Sequence, residues 1–199
     1  QQVGADTDGH DRHGRVEGLQ EISQVLLVAS LLLFGAIVYP GGTPPARDSD
    51  IVVILKGPPQ SIILREKQRI AGIWINADST DFRSVPAYYA IASSRPLDQI
   101  VNSKTAAIYE LGTDFIQLSP SGQIDPEEQT RFAQGLVELR RRQGLYQENP
   151  RGVSISEKVL YQARIALPSN VQTGTYTAET FAVTRGRVIA SAVAEVEVR

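Results

Sequence analysis

The chain has 199 residues, with 20 Lys+Arg against 22 Asp+Glu, 42% hydrophobic residues, and neither Cys nor Met. That length holds one domain with extensions or two very small ones, and an apolar content ample for a core with an ordinary charged fraction of 21% argues against global disorder. A net charge of -2 argues against a nucleic-acid partner, whose phosphates require a basic surplus, and zero cysteine excludes disulfides, zinc–thiolate sites, iron–sulfur clusters and thiol nucleophiles. The absence of Met even at position 1 points to a processed, trimmed or partial chain.

Residues 1–30 are set apart as an N-terminal tail. Over 1–24 the chain is rich in Gly, Ala and charge, without apolar periodicity, and it holds both histidines, His10 and His13, beside Asp6, Asp8 and Asp11. A solvated tail accounts for that cluster better than a metal site. Val25–Tyr39 (VLLVASLLLFGAIVY) is the most apolar run. As a helix it would span roughly 22 Å at about 1.5 Å per residue, short of the ~30 Å hydrocarbon core. A signal-peptide core, a short membrane helix and a doubly buried strand all remain open on periodicity alone.

After the Pro/Gly loop 40–48 the pattern becomes that of β structure. Asp50–Lys56 (DIVVILK), Ser61–Lys67, Ile70–Asn76 and Val85–Ser93 read as strands spaced by Pro, Gly, Asp and Ser. The period then changes. Pro96–Val101 and Ser103–Leu111 read as short helices, and Pro126–Gln143 as a longer one. Asp125 stands as its N-cap, Pro126 at the first helical position, Glu128 completes a capping box, and Gly144 ends it. Phe132, Leu136 and Leu139 mark its apolar stripe, while Arg140-Arg141-Arg142 complement the dipole in the last turn. Strands return with Lys158–Leu167, then Gly174–Thr184 and Val188–Arg199 paired across Arg185-Gly186. In the last strand Val188, Ala190, Ala192, Ala194, Val196 and Val198 share one face, and their small size predicts that another sheet or the helices pack close.

The segments LLLFGAIVYPGG (31–42), VVILKGP (52–58), REKQRIAGIWINADS (65–79), VPAYYAIASSRPL (85–97), TAAIYELG (105–112) and LPSNVQTGTYTAETFAV (167–183) together resemble the alphaproteobacterial putative transmembrane protein family, which has no assigned biochemical function. The resemblance covers about 31–199. It implies an exported domain followed by a single C-terminal membrane helix that is missing from this chain, a location at the cell membrane with the domain facing the periplasm, and LLLFGAI as a strand within the domain. Residues 1–30 depart from the family pattern, and the family offers no catalytic or ligand residues to carry across.

From residue 31 onward there is no His, Cys or Met, so Ser-His-Asp and Cys-His catalysis and imidazole-based metal sites are excluded there. Neither a dinucleotide nor a P-loop fingerprint occurs. Asp78 and Asp81, expected in a loop after the Trp74 strand, offer a carboxylate pair or an oxygen-lined cation site, though an Asx-rich turn explains them as well. Two features suggest a contact surface. Arg65, Lys67 and Arg69 lie on one side of a strand ahead of Trp74, where they also serve to block edge pairing. Tyr88-Tyr89 precede Ser94-Arg95, and strand alternation predicts one tyrosine inward and the other outward beside Arg95.

The expected fold is mainly β: an antiparallel, Ig-like β-sandwich over 31–199 with a helical insert at about 96–146. The expected function is non-catalytic, with no cofactor, no metal and no nucleic acid. The chain is read as an extracytoplasmic domain of a membrane-anchored protein that contacts an integral membrane protein such as a transporter through Trp74, Tyr88, Tyr89 and Arg95. The alternative is a small-molecule or glycan binding domain using a cleft between sandwich and helical insert, favoured by a deep pocket lined by Tyr88, Tyr89 or Trp74. A hydrolase reading would require two of Asp78, Asp81 and Glu157 to face one cavity.

Overall fold

The computed structural model describes residues 29–37 and 49–199, the side chains of 68, 70, 75 and 77 excepted. The histidine tail and the 38–48 loop lie outside the described residues. In chain order the elements are β1 (Ala29–Ala36), β2 (Asp50–Lys56), β3 (Pro59–Ile70), β4 (Ile73–Pro86), β5 (Tyr89–Ser93), α1 (Leu97–Ile100), α2 (Ser103–Tyr109), a 3-10 turn (Thr113–Phe115), β6 (Ser119–Pro120), α3 (Pro126–Arg142), β7 (Tyr146–Pro150), β8 (Val153–Ser156), β9 (Leu160–Leu167), β10 (Gly174–Thr184) and β11 (Arg187–Val198). Among the described residues the strands form a central sheet β11-β10-β2-β5-β7, an outer sheet β1-β9-β8, and a ribbon β3-β4-β6. The fold is thus mainly β, a sandwich with a small helical part, as the sequence implies.

The central sheet is covered on both faces. In β2 the run Ile51–Leu55 is at most 1% exposed, which explains an apolar stretch without alternation. Its register separates two faces. Val53 and Leu55 share one with Ala92, Ala90 and Ala178, while Val52 and Ile54 share the other with Ser93, Ile91 and Phe181. The outer sheet lies over the first, β8 and β9 touching β2 and β5. The helical part lies over the second, where the Tyr109 ring meets Phe181 edge-on at 5.5 Å. The helices also serve as the crossover that a parallel pair requires. β5 and β7, at either end of the helical part, pair parallel, a departure from the all-antiparallel expectation.

Tyr88 and Tyr89 hold these two covers. Alternation sends them to opposite faces, as expected, but both faces are interior, so the expected outward tyrosine does not exist and both rings are 0% exposed. The Tyr88 hydroxyl donates to the Ala166 carbonyl of β9 at 2.5 Å, and its ring lies 5.9 Å from Tyr176. The Tyr89 hydroxyl donates to the Glu110 carbonyl at the end of α2 at 2.6 Å and accepts from the Gly112 amide at 3.0 Å. Tyr146 and Tyr176 likewise donate to the carbonyls of Pro86 and Gln172.

Other elements follow or depart from the sequence for identifiable reasons. The apolar run is strand β1 from Ala29 to Ala36, paired antiparallel with β9. Ser61–Lys67 and Ile70–Asn76 are parts of one long hairpin, β3–β4, turning at Ala71 (φ 51°) and Gly72 (φ 84°). Two consecutive positive φ values match the twist of the strands, although Ala-Gly is not a usual sequence for that turn. The expected loop around Asp78 is therefore strand. Asp125 occupies the N-cap of α3 and Pro126 follows it, but the Asp125 side chain makes no capping bond; Glu127 and Glu128 supply negative charge to that end instead. Ala190, Ala192 and Ala194 face the outer-sheet side of β11 yet are exposed, because the three strands of the outer sheet do not extend over the edge strand.

Burial pushes the phenols of Tyr88, Tyr89 and Tyr146 far above their usual value, and that of Tyr176 upward. Neutral phenol is the form the folded state holds, so this stabilisation is complete below about pH 10 and is lost as pH rises beyond it, where the unfolded chain ionises. Tyrosinate absorbance is expected to show a buried class that ionises only together with loss of the circular dichroism signal. Independent titration of all tyrosines near pH 10 would refute this. Tyr88→Phe and Tyr89→Phe each remove a hydrogen bond between layers and are expected to lower stability by about 1 kcal/mol in denaturant titrations.

Candidate functional site

Two surface features stand out, and they lie on different parts of the fold. The first is the β3–β4 ribbon. On its inner side Leu64 approaches α3 at Gly135, and Glu66 and Asp78 face Arg131 of α3 at 3.1 and 3.8 Å. Phe82 and Thr80 continue that side into the interior. The opposite side carries Ile63, Arg65, Lys67 and Arg69, all exposed. The extra residue at the bulge between Glu66 and Lys67 falls on β4, so β3 keeps its alternation and the three cations stay on one side. Arg69 is opposite Trp74 in the register, which places the indole on that same cationic side, 66% exposed. Ile73, 67% exposed, lies on the other side of the tip. The ribbon therefore ends in apolar side chains on both faces, with cations behind the tryptophan.

Arg95 is elsewhere. It grips Asp50 with two hydrogen bonds, Nε to Oδ1 at 2.9 Å and Nη2 to Oδ2 at 2.6 Å. Ser94 donates to the same carboxylate at 2.9 Å and accepts from the Ile51 amide. Burial alone would raise the Asp50 pKa, but the Arg95 and Ser94 hydrogen bonds and the Arg95 charge together hold it below the usual carboxylate range. This clamp fastens the start of β2 to the turn into α1. Of the four residues singled out from the sequence, Tyr88 and Tyr89 are interior anchors that a docked partner does not touch. Arg95 is a half-exposed clamp, and Trp74 alone is a large exposed ring. No contact brings Trp74 together with the other three among the described residues.

The second feature is a cleft of about 530 Å³ between the helical part and the β5–β7 end of the central sheet. Its walls are Ile91, Leu97, Val101, Ala106, Leu111 and Phe115, with Asp98, Asp114, Glu148 and Asn149 among its polar lining. One end is closed by a chain of polar contacts. Thr113 donates to Glu148 Oε1 from its amide and its hydroxyl, both at 2.7 Å. Arg141 of α3 binds the Thr113 hydroxyl oxygen and pairs with Asp114 at 2.8 Å. Sequence reasoning placed a cleft here and looked to Tyr88, Tyr89 or Trp74 for its lining, but none of the three lines it. α1 and α2 are too short for a periodicity to expose their inner side, and Glu148 has no motif around it.

The three carboxylates considered for hydrolysis do not converge. Asp78 and Asp81 lie on opposite sides of the ribbon, Glu157 sits in the β8–β9 turn, and none of them lines the cleft. Among the described residues no group of His, Asp and Glu is arranged to hold a metal ion, and no helix is long and apolar enough to cross a membrane. Neither a curated protein nor a solved structure matches the chain. A family model does match, over residues 29–199, from the start of β1 through β11, and its description is “Putative transmembrane protein (Alph_Pro_TM)”. With most of its length inside that match, the chain belongs to this family, whose name describes a membrane-associated protein.

Proposed function

We propose that this chain is the non-catalytic, periplasm-facing part of a membrane-anchored protein, and that it acts by contacting an integral membrane protein such as a transporter. The reading of the two packed sheets as an Ig-like sandwich belongs to the same proposal. What supports it is the outer side of the β3–β4 ribbon: Trp74 with Arg65, Lys67 and Arg69 behind it, carried clear of the core. Tryptophan and arginine dominate the energetics of protein contacts, because each desolvates a large area and still offers a directed polar or stacking interaction. The ribbon does not need these side chains for its own fold, since its packing is made by Leu64, Glu66 and Phe82 on the other side. A partner fitting this face offers an apolar recess for the indole and an acidic margin for the three cations. Membership of a membrane-protein family supplies the setting.

The test is a photo-activatable phenylalanine analogue at position 74 of the full-length protein, irradiated in native membranes and read by mass spectrometry. A discrete adduct with one integral membrane protein is expected, absent when the analogue replaces exposed Arg151. Trp74→Ala and the triple change R65E/K67E/R69E are expected to abolish co-purification of that protein while shifting stability by only about 0.5 kcal/mol, as exposed substitutions do. Equal yields at positions 74 and 151, or co-purification that survives both variants, would remove the ribbon as the contact surface.

A further inference from the structure

We infer that the cleft between the helical part and β5–β7 is a binding site for a small apolar ligand carrying a protonated amine. This inference is independent of the ribbon and of any protein partner. It begins with shape. A recess of about 530 Å³ falls within the range of small-molecule sites, about 300–1,000 Å³. Its exposed surface is mostly apolar, with Ile91 from the sheet and Leu97, Val101, Ala106 and Leu111 from the helical part, so an apolar body gains from entering it.

The polar lining then selects the ligand's charge. Asp98, Asp114 and Glu148 contribute three carboxylates, and among the described residues no Lys, Arg or His lines the cleft. Arg141, at the closed end, is committed to Asp114 and Thr113, and Arg95, which shares an adjoining recess with Asp98 and Arg185, is committed to Asp50. Both donors of Thr113 go to Oε1 of Glu148, leaving Oε2 without a protein hydrogen bond among the described residues. Asp98 has no ion-pair partner among them either. Phosphates, carboxylates and fatty acids are therefore repelled. Among the described residues Phe115 is the one aromatic side chain in the lining, so sugars find no indole or phenol there to stack on. An ammonium group beside Glu148 and Asp98, with an alkyl or aryl body along Val101, Ala106 and Leu111, satisfies both requirements at once.

The test uses n-octylamine as the probe, with 1-octanol and octanoate as matched controls, each titrated into the isotope-labelled 199-residue chain and followed by amide chemical shifts. The amine is expected to give saturable shifts clustered on Val101, Ala106, Leu111 and Glu148, at least ten-fold tighter than the alcohol, with no saturable shifts from octanoate. Glu148→Gln and Asp98→Asn are each expected to weaken the amine by about ten-fold and to leave the alcohol unchanged. Ala106→Phe, which fills the recess, is expected to abolish both. Equal binding of amine and alcohol would overturn the charge selection. No binding of any probe, shifts centred on the ribbon instead of the cleft, or binding that survives Ala106→Phe would overturn the site. The comparison of three probes on the unaltered chain decides the matter even where a variant fails to fold.

Discussion

Two adjacent phenols fasten this molecule together. Tyr88 and Tyr89 stand at the mouth of β5, and the geometry of an extended backbone sends one ring up and the next down. One hydroxyl ends on a carbonyl of the outer sheet and the other on the carbonyl that closes α2. A sheet with a run such as Ile51–Leu55 at its centre has no side to turn toward water. It must be roofed twice, and the two roofs have nothing else in common. Because both rings are fully buried, neither hydroxyl exchanges its carbonyl for water without opening the layers. The Lys56–Glu110 contact, at 2.7 Å and only about one-fifth exposed, adds a charged tie on the helical side.

This arrangement explains which parts of the fold could be read from the chain and which could not. Strands that lie at a boundary between core and solvent alternate, and β9 was legible for that reason, while β11 alternates in sequence although both its sides are largely exposed. Like β9, α3 was legible, since its Phe132 and Leu136 face inward while its charges face out. β2 was legible as a strand from its β-branched run, but a run apolar at every position cannot say that both sides are covered. The error over Tyr88 and Tyr89 came from the same source. Alternation was right, and the assumption that a second face means solvent was wrong. The ribbon was read as two shorter strands because its turn, Ala71-Gly72, lacks the Asn or Asp that usually marks one. The small residues of β11 predicted a close neighbour, but how far the opposing sheet reaches is set by strand number, which no local pattern records.

The candidate sites differ in legibility for related reasons. Trp74 and the cations before it are visible in sequence because they are local, and the structure adds only that they share a side. The cleft is not local at all. Its walls come from β5, α1, α2, the 3-10 turn and β7, and Glu148 is positioned there by the parallel pairing of β7 with Ile91 of β5. A single unusual feature, the long helical crossover between two parallel strands, creates both the second roof and the gap beneath it. The ribbon and the cleft thus have separate physical origins, one in a hairpin extended beyond the core and one in imperfect closure of helices over a sheet.

The order of strands in the central sheet also has a kinetic meaning. β2 lies between β5 and β10, so one of its neighbours follows it closely in sequence and the other comes near the end of the chain. Ser49 and Thr184, whose hydroxyls are 2.9 Å apart, are separated by 135 residues. As the chain is synthesised, β2, buried on both faces, emerges well over a hundred residues before β10, its second neighbour. Closing loops of that length places the molecule among slow folders of high contact order. Until β10 arrives, one edge of β2 is an unpaired strand of valine, isoleucine and leucine, the state in which such a chain is most exposed to capture by another copy of itself.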